Sequence, residues 1–273
     1  MTKDDLSQWI NSRKIDLFIT SNKDEYNSIV SDCSPYSLGQ KEVVLTGFPR
    51  YDRLLDLQRS VATPSKIVVM PTWRRSLALA IEAAKNPSDQ LAILESSEYG
   101  QTWLTFLHSE QLQQLSQLFG YEVIFFPHAS MQNVFTLIEP PEGVTYRSHV
   151  SASIQELFAN AVVLITDYSS VAFEMAYLRR AVIYFQFDQT SFFNGNHFYT
   201  NGYFDYYRDG FGPVVTSQEA LLEALEKVLA QKGQVAPKYR GRMEEAFAFR
   251  DGKNCERVYD AIMAMLSPEP RDE

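Results

Sequence analysis

The 273-residue sequence has few cysteines, no long apolar run and no surplus of basic residues. Cys33 and Cys255 stand alone, without a CxxC pair or a histidine at ligand spacing, which excludes a disulfide framework and gives no sign of a zinc site. No run of about 18 apolar residues and no signal-peptide pattern occurs, so the sequence predicts neither a membrane span nor secretion. A formal net charge of −9 argues against nucleic-acid binding.

The composition that remains is that of a globular protein, with 45% hydrophobic and 13% aromatic residues, enough for a substantial core. We expect reduced thiols and a cytoplasmic location. The acidic pairs Asp4-Asp5 and Glu244-Glu245 are interpreted as solvated charges, and no metal or other cofactor is predicted. Any anionic ligand must be held by a local cluster of positive groups.

The most informative stretch is Val162 to Asp188, which is typical of a strand, helix, strand unit with a polar turn. Val162 to Thr166 is a short β-branched run, typical of a strand buried on both faces of a parallel sheet. The sequence DYSS interrupts it, a helix over Val171 to Arg179 follows, and Ala181 to Phe185 resumes as a strand. Since ligands bind outside the carboxyl ends of parallel strands, the turn is a candidate binding site.

Asp167, Ser169 and Ser170 in this turn are predicted to bind substrate. The serines place hydroxyls and free backbone N–H groups at a helix N-terminus, which favours a phosphate. The alternative is that one serine only caps the helix. A capping box is not met from either serine, because Ala172 and Phe173 occupy the third positions.

From Ile67 onward, predicted strands alternate with helices, which indicates a doubly wound α/β fold with a parallel sheet. The strands are Ile67 to Met70, Tyr121 to Phe126, Val144 to Arg147, Val162 to Thr166, Ala181 to Phe185 and Pro213 to Val215; the helices are Gly100 to Leu118, Met131 to Leu137, Ser153 to Ala161, Val171 to Arg179 and Gln218 to Ala230. Glu245 to Leu266 is predicted as one or two helices, and Ser267 to Glu273 as a frayed tail.

The segment before the linker at Thr63 to Ser65 contains too few elements for a sheet domain of its own. The predicted elements are strands over Ile15 to Thr20 and Val43 to Thr46 and helices over Lys23 to Val30 and Tyr51 to Leu57. We therefore expect the chain to begin partway through a larger domain.

Polar and charged residues follow the first two strands of the alternating region. Thr72, Arg74 and Arg75 come after the first strand, and arginine forks pair with phosphate oxygens; a solvated arginine pair is the alternative. His128 ends the second strand, where it can donate a proton or a hydrogen bond to a leaving phosphate. Glu174 is a candidate for ribose hydroxyls, with a solvated helix carboxylate as the alternative.

Three other histidines and one long loop carry weaker signals. His149 is expected to line the cleft, whereas His108 and His197 are interpreted as surface or packing residues. The aromatic-rich segment from Thr190 to Gly212 is long for a loop, which favours a functional or mobile element. It either borders a ligand or forms an interaction surface, and the sequence leaves both open.

Five segments together resemble the CDP-glycerol glycerophosphotransferases, the polymerases and primases of teichoic acids and capsular polysaccharides. The first is ITDYSSVAFEMAYLRRAVIYFQFD; the others are TGFPRYDRL, MPTWRR, YFDYYRDGFGPVV and RDGKNCERV, in that family's order. The resemblance covers residues 15 to 265. It implies a GT-B architecture, in which residues 1–62 end an N-terminal acceptor-side domain, 63–235 form the nucleotide-binding domain, and 236–273 pack back toward the N-terminal part.

The resemblance also implies a reaction, in which an acceptor hydroxyl attacks the phosphorus of CDP-glycerol and CMP leaves. In the family a histidine-proline motif stabilises the departing nucleotide, and His128 stands in its place, although here Pro127 precedes the histidine and Ala129 follows it. The family's base, in a tryptophan-histidine-glycine motif, has no counterpart in this sequence. We therefore expect a C-terminal fragment of a longer transferase, with Met1 an artificial start, that binds the donor but turns over poorly alone.

The expected partners are a CDP-activated donor and a polyol-phosphate or polysaccharide acceptor, with peripheral contact to the inner face of the membrane. Two other hypotheses stay open: a GT-B transferase or epimerase that uses a UDP-sugar, and a silent binding or scaffold module. Base preference separates the first two.

Overall fold

The structure of the chain, a computed structural model, describes residues 2–3, 6–193 and 200–267. The interpretations of Asp4-Asp5, His197 and the tail from residue 268 lie outside these ranges. The strands are β1 Thr2–Lys3, β2 Phe18–Thr20, β3 Val43–Leu45, β4 Lys66–Val69, β5 Glu122–Phe125, β6 Val144–Tyr146, β7 Ala161–Thr166, β8 Ala181–Phe185, β9 Thr200–Asn201 and β10 Val214–Val215. The helices are α1 Ser7–Asn11, α2 Lys23–Val30, α3 Arg50–Ser60, α4 Arg75–Ala83, α5 Pro87–Ser96, α6 Glu98–Leu107, α7 Glu110–Phe119, α8 Ala129–Phe135, α9 Ile154–Ala159, α10 Ala172–Tyr177, α11 Gln189–Ser191, α12 Gln218–Ala230, α13 Pro237–Ala246 and α14 Asn254–Leu266.

Six parallel strands form the central sheet, in the order β10-β8-β7-β4-β5-β6. The chain runs outward from β4 through β5 to β6, then crosses back to place β7 on the other side of β4. This is the strand order of a doubly wound α/β sheet, so the predicted fold class is confirmed. The order reverses at β4, and this switch point positions the site described below.

Both faces of the sheet are covered, which explains the unbroken apolar runs of its strands. Successive side chains point to opposite faces, so Ile67 and Val69 pack under α4 to α8 and α12, while Val68 and Met70 pack under α3, α9, α10 and α13. Every residue of β7 is buried. The two layers therefore fix β7, and with it the turn that follows.

Three helix boundaries differ from the sequence prediction. The single helix expected over residues 100–118 is two helices: the first ends at Leu107, and Ser109 begins the second, since its hydroxyl caps α7 by accepting from the Leu112 N–H. Helices α4 and α5 were not predicted, although Asn86 caps α5 and Pro87 begins it. The prediction over 245–266 was wrong at its start, since α13 begins at Pro237 and residues 247–253 separate it from α14.

The start and the end of the described chain are joined by a polar contact between α3 and α14. The Asp52 carboxylate accepts from the backbone N–H groups of Asn254, at 3.0 Å, and Cys255, at 2.7 Å. It thereby satisfies donors that a helix N-terminus leaves unpaired. Gly47, with φ of +76°, lies so close that a Cβ there would be 2.3 Å from Asn254 Oδ1. The TGFPRYDRL and RDGKNCERV segments thus form one packed junction.

Both cysteines are exposed free thiols. Within the described ranges, no helix has the length and apolar character that a bilayer span requires. The same residues contain no group of three or more His, Cys, Asp or Glu side chains placed to hold a metal ion.

Candidate functional site at the carboxyl edge of the sheet

A cavity of about 450 Å³ opens at the carboxyl ends of β4, β5 and β7, on both sides of the switch point. Its volume lies in the range of roughly 300 to 1,000 Å³ typical of small-molecule sites. Most of its wall is apolar, with a few polar groups. The lining residues are Met70, Pro71, Thr72, Trp73, Phe126, Pro127, His128, His149, Ile154, Tyr168, Ser169, Ser170 and Val171.

Thr72 follows β4 and lines the cavity, as expected of a ligand-contacting residue. Its backbone N–H donates to Asp167 Oδ1 at 2.8 Å, which joins the β4 turn to the β7 turn. Its hydroxyl is buried but has no hydrogen-bond partner among the described residues. A buried hydroxyl without a partner costs free energy, so a ligand that pairs with it gains correspondingly.

Arg74 does not reach the cavity, which corrects the expectation that it pairs with phosphate. The side chain is buried, and four of its hydrogen bonds go to protein acceptors: two to Asp188, one to Asp167 and one to the Thr72 carbonyl oxygen. Burial works against its charge, but Asp167 and Asp188 more than offset this and raise the pKa of Arg74. Arg74 therefore supports the two turns from behind.

Asp167 has the same supporting role rather than the direct substrate contact that was expected. Its Oδ1 accepts from the N–H groups of Thr72 and Tyr168, and its Oδ2 accepts from Arg74. The Tyr168 hydroxyl donates to Asp188 at 3.2 Å. Burial first, and the negative charge of Asp188 second, raise the pKa of Tyr168, so the phenol stays a neutral donor.

We call Arg74, Asp167, Asp188 and Tyr168 the buried ionic cluster. The sequence analysis assigned no role to Asp188 or Tyr168. The available signal was a carboxylate three residues after the end of the buried strand β8, close to the core, where an ionised group requires a partner.

Ser169 and Ser170 both line the cavity, as predicted, with Ser169 half-buried and Ser170 exposed. The Val171 N–H donates to Ser169 Oγ at 3.4 Å, a long hydrogen bond. Val171 occupies the N-cap position of α10, and no side chain caps that helix. Phosphate binding at this turn stays a prediction, and it rests on the hydroxyls of Ser169 and Ser170.

His128 lies on the opposite wall, where it is the N-cap residue of α8 and stacks on Trp73 with ring centroids 5.4 Å apart. Its Nδ1 accepts from the Ser130 N–H at 3.2 Å, so the proton of the neutral ring is on Nε2. Partial burial, and then the charge of His149, lower the pKa of His128. The neutral imidazole is therefore a donor through Nε2. His149 also lines the cavity, with its ring edge-on to Phe126.

Arg75 and Glu174 lie outside the described lining of the cavity. Arg75 is the half-buried first residue of α4. Glu174 accepts from Arg50 Nε at 3.0 Å, so its carboxylate is engaged by a cation instead of being open to a ribose. Burial raises the pKa of Glu174, and Arg50 opposes that effect.

The described part of the aromatic segment packs against the β7 turn from behind. Phe204, Tyr206 and Phe211 are buried, and the Tyr206 hydroxyl donates to the Tyr168 carbonyl oxygen at 2.9 Å. Gly212 is required here, because a Cβ would lie 1.7 Å from the Val182 carbonyl oxygen. These aromatic side chains are therefore packing residues of the turn, not an exposed surface.

A parallel sheet of this strand order, with a cavity outside the strand ends at the switch point, defines a doubly wound α/β domain with the cavity where ligands bind in such folds. Residues 1–264 match the profile of the family described as CDP-Glycerol:Poly(glycerophosphate) glycerophosphotransferase. The chain belongs to this family, which confirms the resemblance seen in the sequence motifs.

The chain is similar to proteins of teichoic acid synthesis. It is 32% identical over 267 residues to the minor teichoic acid biosynthesis protein GgaB of Bacillus subtilis (strain 168), which covers 97% of this chain and 28% of GgaB. It is 25% identical over 236 residues to the teichoic acid poly(glycerol phosphate) polymerase of the same strain, covering 81% of this chain and 28% of that protein. The fold matches the solved wall teichoic acid polymerase TagF with a TM-score of 0.59 at 21% identity, over 91% of this chain and 58% of TagF. The chain thus spans little more than a quarter of these two curated relatives.

Proposed function

We propose that this chain supplies the donor-binding half of a transferase that moves glycerol phosphate, or a related polyol phosphate, from a CDP-activated donor to a teichoic acid or capsular polymer. The observation that carries the proposal is the convergence of Thr72, His128, Ser169 and Ser170 on one cavity, in a member of this family. A TagF variant was soaked with CDPG, which concerns that protein but agrees with a cytidine donor.

The cavity supplies two kinds of contact that a nucleotide donor needs. Its apolar wall, with Trp73 and Phe126, suits the flat faces of a base. The partnerless Thr72 hydroxyl and the two serine hydroxyls can donate to phosphate oxygens. His128 can donate from Nε2 to the departing phosphate.

The proposed step is a substitution at phosphorus. An acceptor hydroxyl oxygen forms a bond to the phosphorus that carries the glycerol, and the bond from that phosphorus to the bridging oxygen breaks. CMP leaves with the bonding electron pair, and the acceptor proton passes to a base. His128 stabilises the negative charge that develops on CMP.

A base for the acceptor hydroxyl is not assigned to any residue of this chain. The family's tryptophan-histidine-glycine motif does not occur in the sequence, because no histidine follows Trp9, Trp73 or Trp103. We propose that residues 63–235 are the donor domain, that residues 1–62 belong to the acceptor-side domain, and that peripheral membrane contact is made by the whole enzyme. The isolated chain is then expected to bind donor with little turnover; efficient transfer by this chain alone would refute that expectation.

Calorimetric titration of the chain with CDP-glycerol, CMP and UDP-GlcNAc tests the proposal. We expect saturable binding of the cytidine ligands and none of the uridine sugar. Replacing both serines (Ser169→Ala with Ser170→Ala) removes two hydrogen-bond donors and should weaken CDP-glycerol roughly tenfold or more. Ser96→Ala, an exposed serine at the end of α5, is the matched control and should change nothing. Tighter binding of the uridine sugar would contradict the proposal. So would an equal loss of affinity for CDP-glycerol in the double variant and in the Ser96→Ala control.

A further inference from the structure

If the proposed function is right, the cavity binds a diphosphate and requires a positively charged side chain beside it. The residues singled out from the sequence do not provide that charge. A donor diphosphate carries several negative charges, and the protein itself has a net charge of −9. Arg74 is buried and committed to Asp167 and Asp188, and no arginine is among the described residues that line the cavity. An arginine that contacts the helices beside this lining comes from a different part of the chain.

Arg50, the first residue of α3, contacts the first turns of α9 and α10, the two helices that start at the cavity-lining Ile154 and Val171. Its carbonyl oxygen accepts from Gln155 Nε2 at 3.0 Å, one residue from the cavity-lining Ile154. Its guanidinium Nε donates to Glu174, in the first turn of α10 and three residues after the cavity-lining Val171. Two independent contacts, with residues 105 and 124 positions away in sequence, thus hold Arg50 against the two helices that start at the cavity lining.

The Arg50 side chain is held in place while part of its guanidinium stays available to a ligand. Its Cζ atom lies 4.3 Å from the centre of the Phe48 ring and 5.2 Å from that of Tyr51, and Glu174 fixes its Nε. The side chain is 52% exposed, against 14% for Glu174. Its two terminal nitrogens make no hydrogen bond to any residue that the structure describes. A held guanidinium with two open nitrogens is suited to bidentate contact with a phosphate.

We propose that Arg50 binds a phosphate of the nucleoside diphosphate donor, and that Glu174 is the positioning residue that holds its guanidinium at the cavity rim. The donor site is then shared between the segment before residue 62 and the nucleotide-binding domain. The fork of Arg50 supplies the positive charge that Arg74 cannot supply.

The test is a series of ligands that differ in phosphate number: cytidine, CMP and CDP. Their affinities are measured by calorimetry on the unaltered chain, Arg50→Gln and Arg50→Lys. The control is Arg53→Gln, which removes an exposed arginine one turn further along α3. We expect Arg50→Gln to weaken CDP by roughly tenfold, as fits the loss of one charge-assisted contact, and to leave cytidine unchanged. Arg50→Lys keeps the charge but loses the planar guanidinium, so its affinity for CDP should lie between those of the unaltered chain and Arg50→Gln.

The outcomes separate this inference from the proposed function. If the unaltered chain binds none of the cytidine ligands, the proposed function fails. If it binds them and prefers CDP, but Arg50→Gln keeps that preference, only the role of Arg50 is refuted. Equal weakening of cytidine and CDP, or an equal effect of Arg53→Gln, would also refute it. Since Arg50→Gln leaves the poorly exposed Glu174 without its cation, the double variant with Glu174→Gln provides a neutral pair if the single variant unfolds.

Discussion

Replacing Arg74 by methionine should destabilise the chain more than almost any other single change in the parallel-sheet domain. The substitution keeps much of the side-chain volume but removes the cation between two buried carboxylates, Asp167 and Asp188, together with four hydrogen bonds. Removing one partner of a buried ion pair costs about 3 to 5 kcal/mol, because the other partner stays in a poorly hydrated site without compensation. For a chain of this size that corresponds to a fall in Tm of roughly 6 to 20 °C.

Urea unfolding, followed by circular dichroism and by tryptophan fluorescence, measures the loss directly. The double variant Arg74→Met with Asp188→Asn removes one stranded charge and should be more stable than Arg74→Met alone by about 1 kcal/mol or more. Arg53→Met, at an exposed position on α3, should stay within about 0.5 kcal/mol of the unaltered chain. A loss below about 1 kcal/mol for Arg74→Met, or additive losses in the double variant, would refute the reasoning.

Two further perturbations follow from the geometry of the site and of the α3 and α14 junction. The fold lowers the pKa of His128 below its usual 6.5, so this residue favours the folded state at neutral pH and that contribution is lost on acidification. When the pH is lowered from about 7 to about 5, the urea midpoint of His128→Gln should therefore fall less than that of the unaltered chain. An equal fall in the two midpoints would contradict this. Gly47→Ala places a Cβ 2.3 Å from Asn254 Oδ1 at a φ of +76° and should cost about 2 to 4 kcal/mol in urea unfolding, whereas Gly252→Ala, also at positive φ but with open space, should cost less.

The doubly wound sheet could be predicted because its strands are short apolar runs bounded by polar residues. Val162 to Thr166 carries that pattern most clearly, and β7 is buried along its whole length. The break between α6 and α7 was missed because the apolar periodicity continues through His108 and Ser109, and only the cap at Ser109 marks the boundary.

The position of the cavity could be predicted from the sequence. Which side chains near it face the cavity, and which point into the protein core, could not. Thr72, Ser169 and Ser170 follow strands and do line the cavity, since position at a strand end is a property of the local sequence. Arg74 follows the same strand as Thr72 yet points into the protein, because Asp188, 114 residues later, provides the partner that makes burial possible. Glu174 likewise meets Arg50 across 124 residues. Ion pairs of this kind depend on tertiary packing, and no local pattern encodes them.

The junction between α3 and α14 has a consequence for how the protein forms during synthesis. Asp52 leaves the ribosome 202 residues before Asn254, the helix start that it caps. At roughly 5 to 20 residues per second, that interval is about 10 to 40 s. During this time the parallel sheet can assemble, but the Asp52 carboxylate on α3 lacks the two backbone N–H donors of α14. The contact between Asp52 and α14 is thus expected to form last, and translation of α14 is the step that completes this junction.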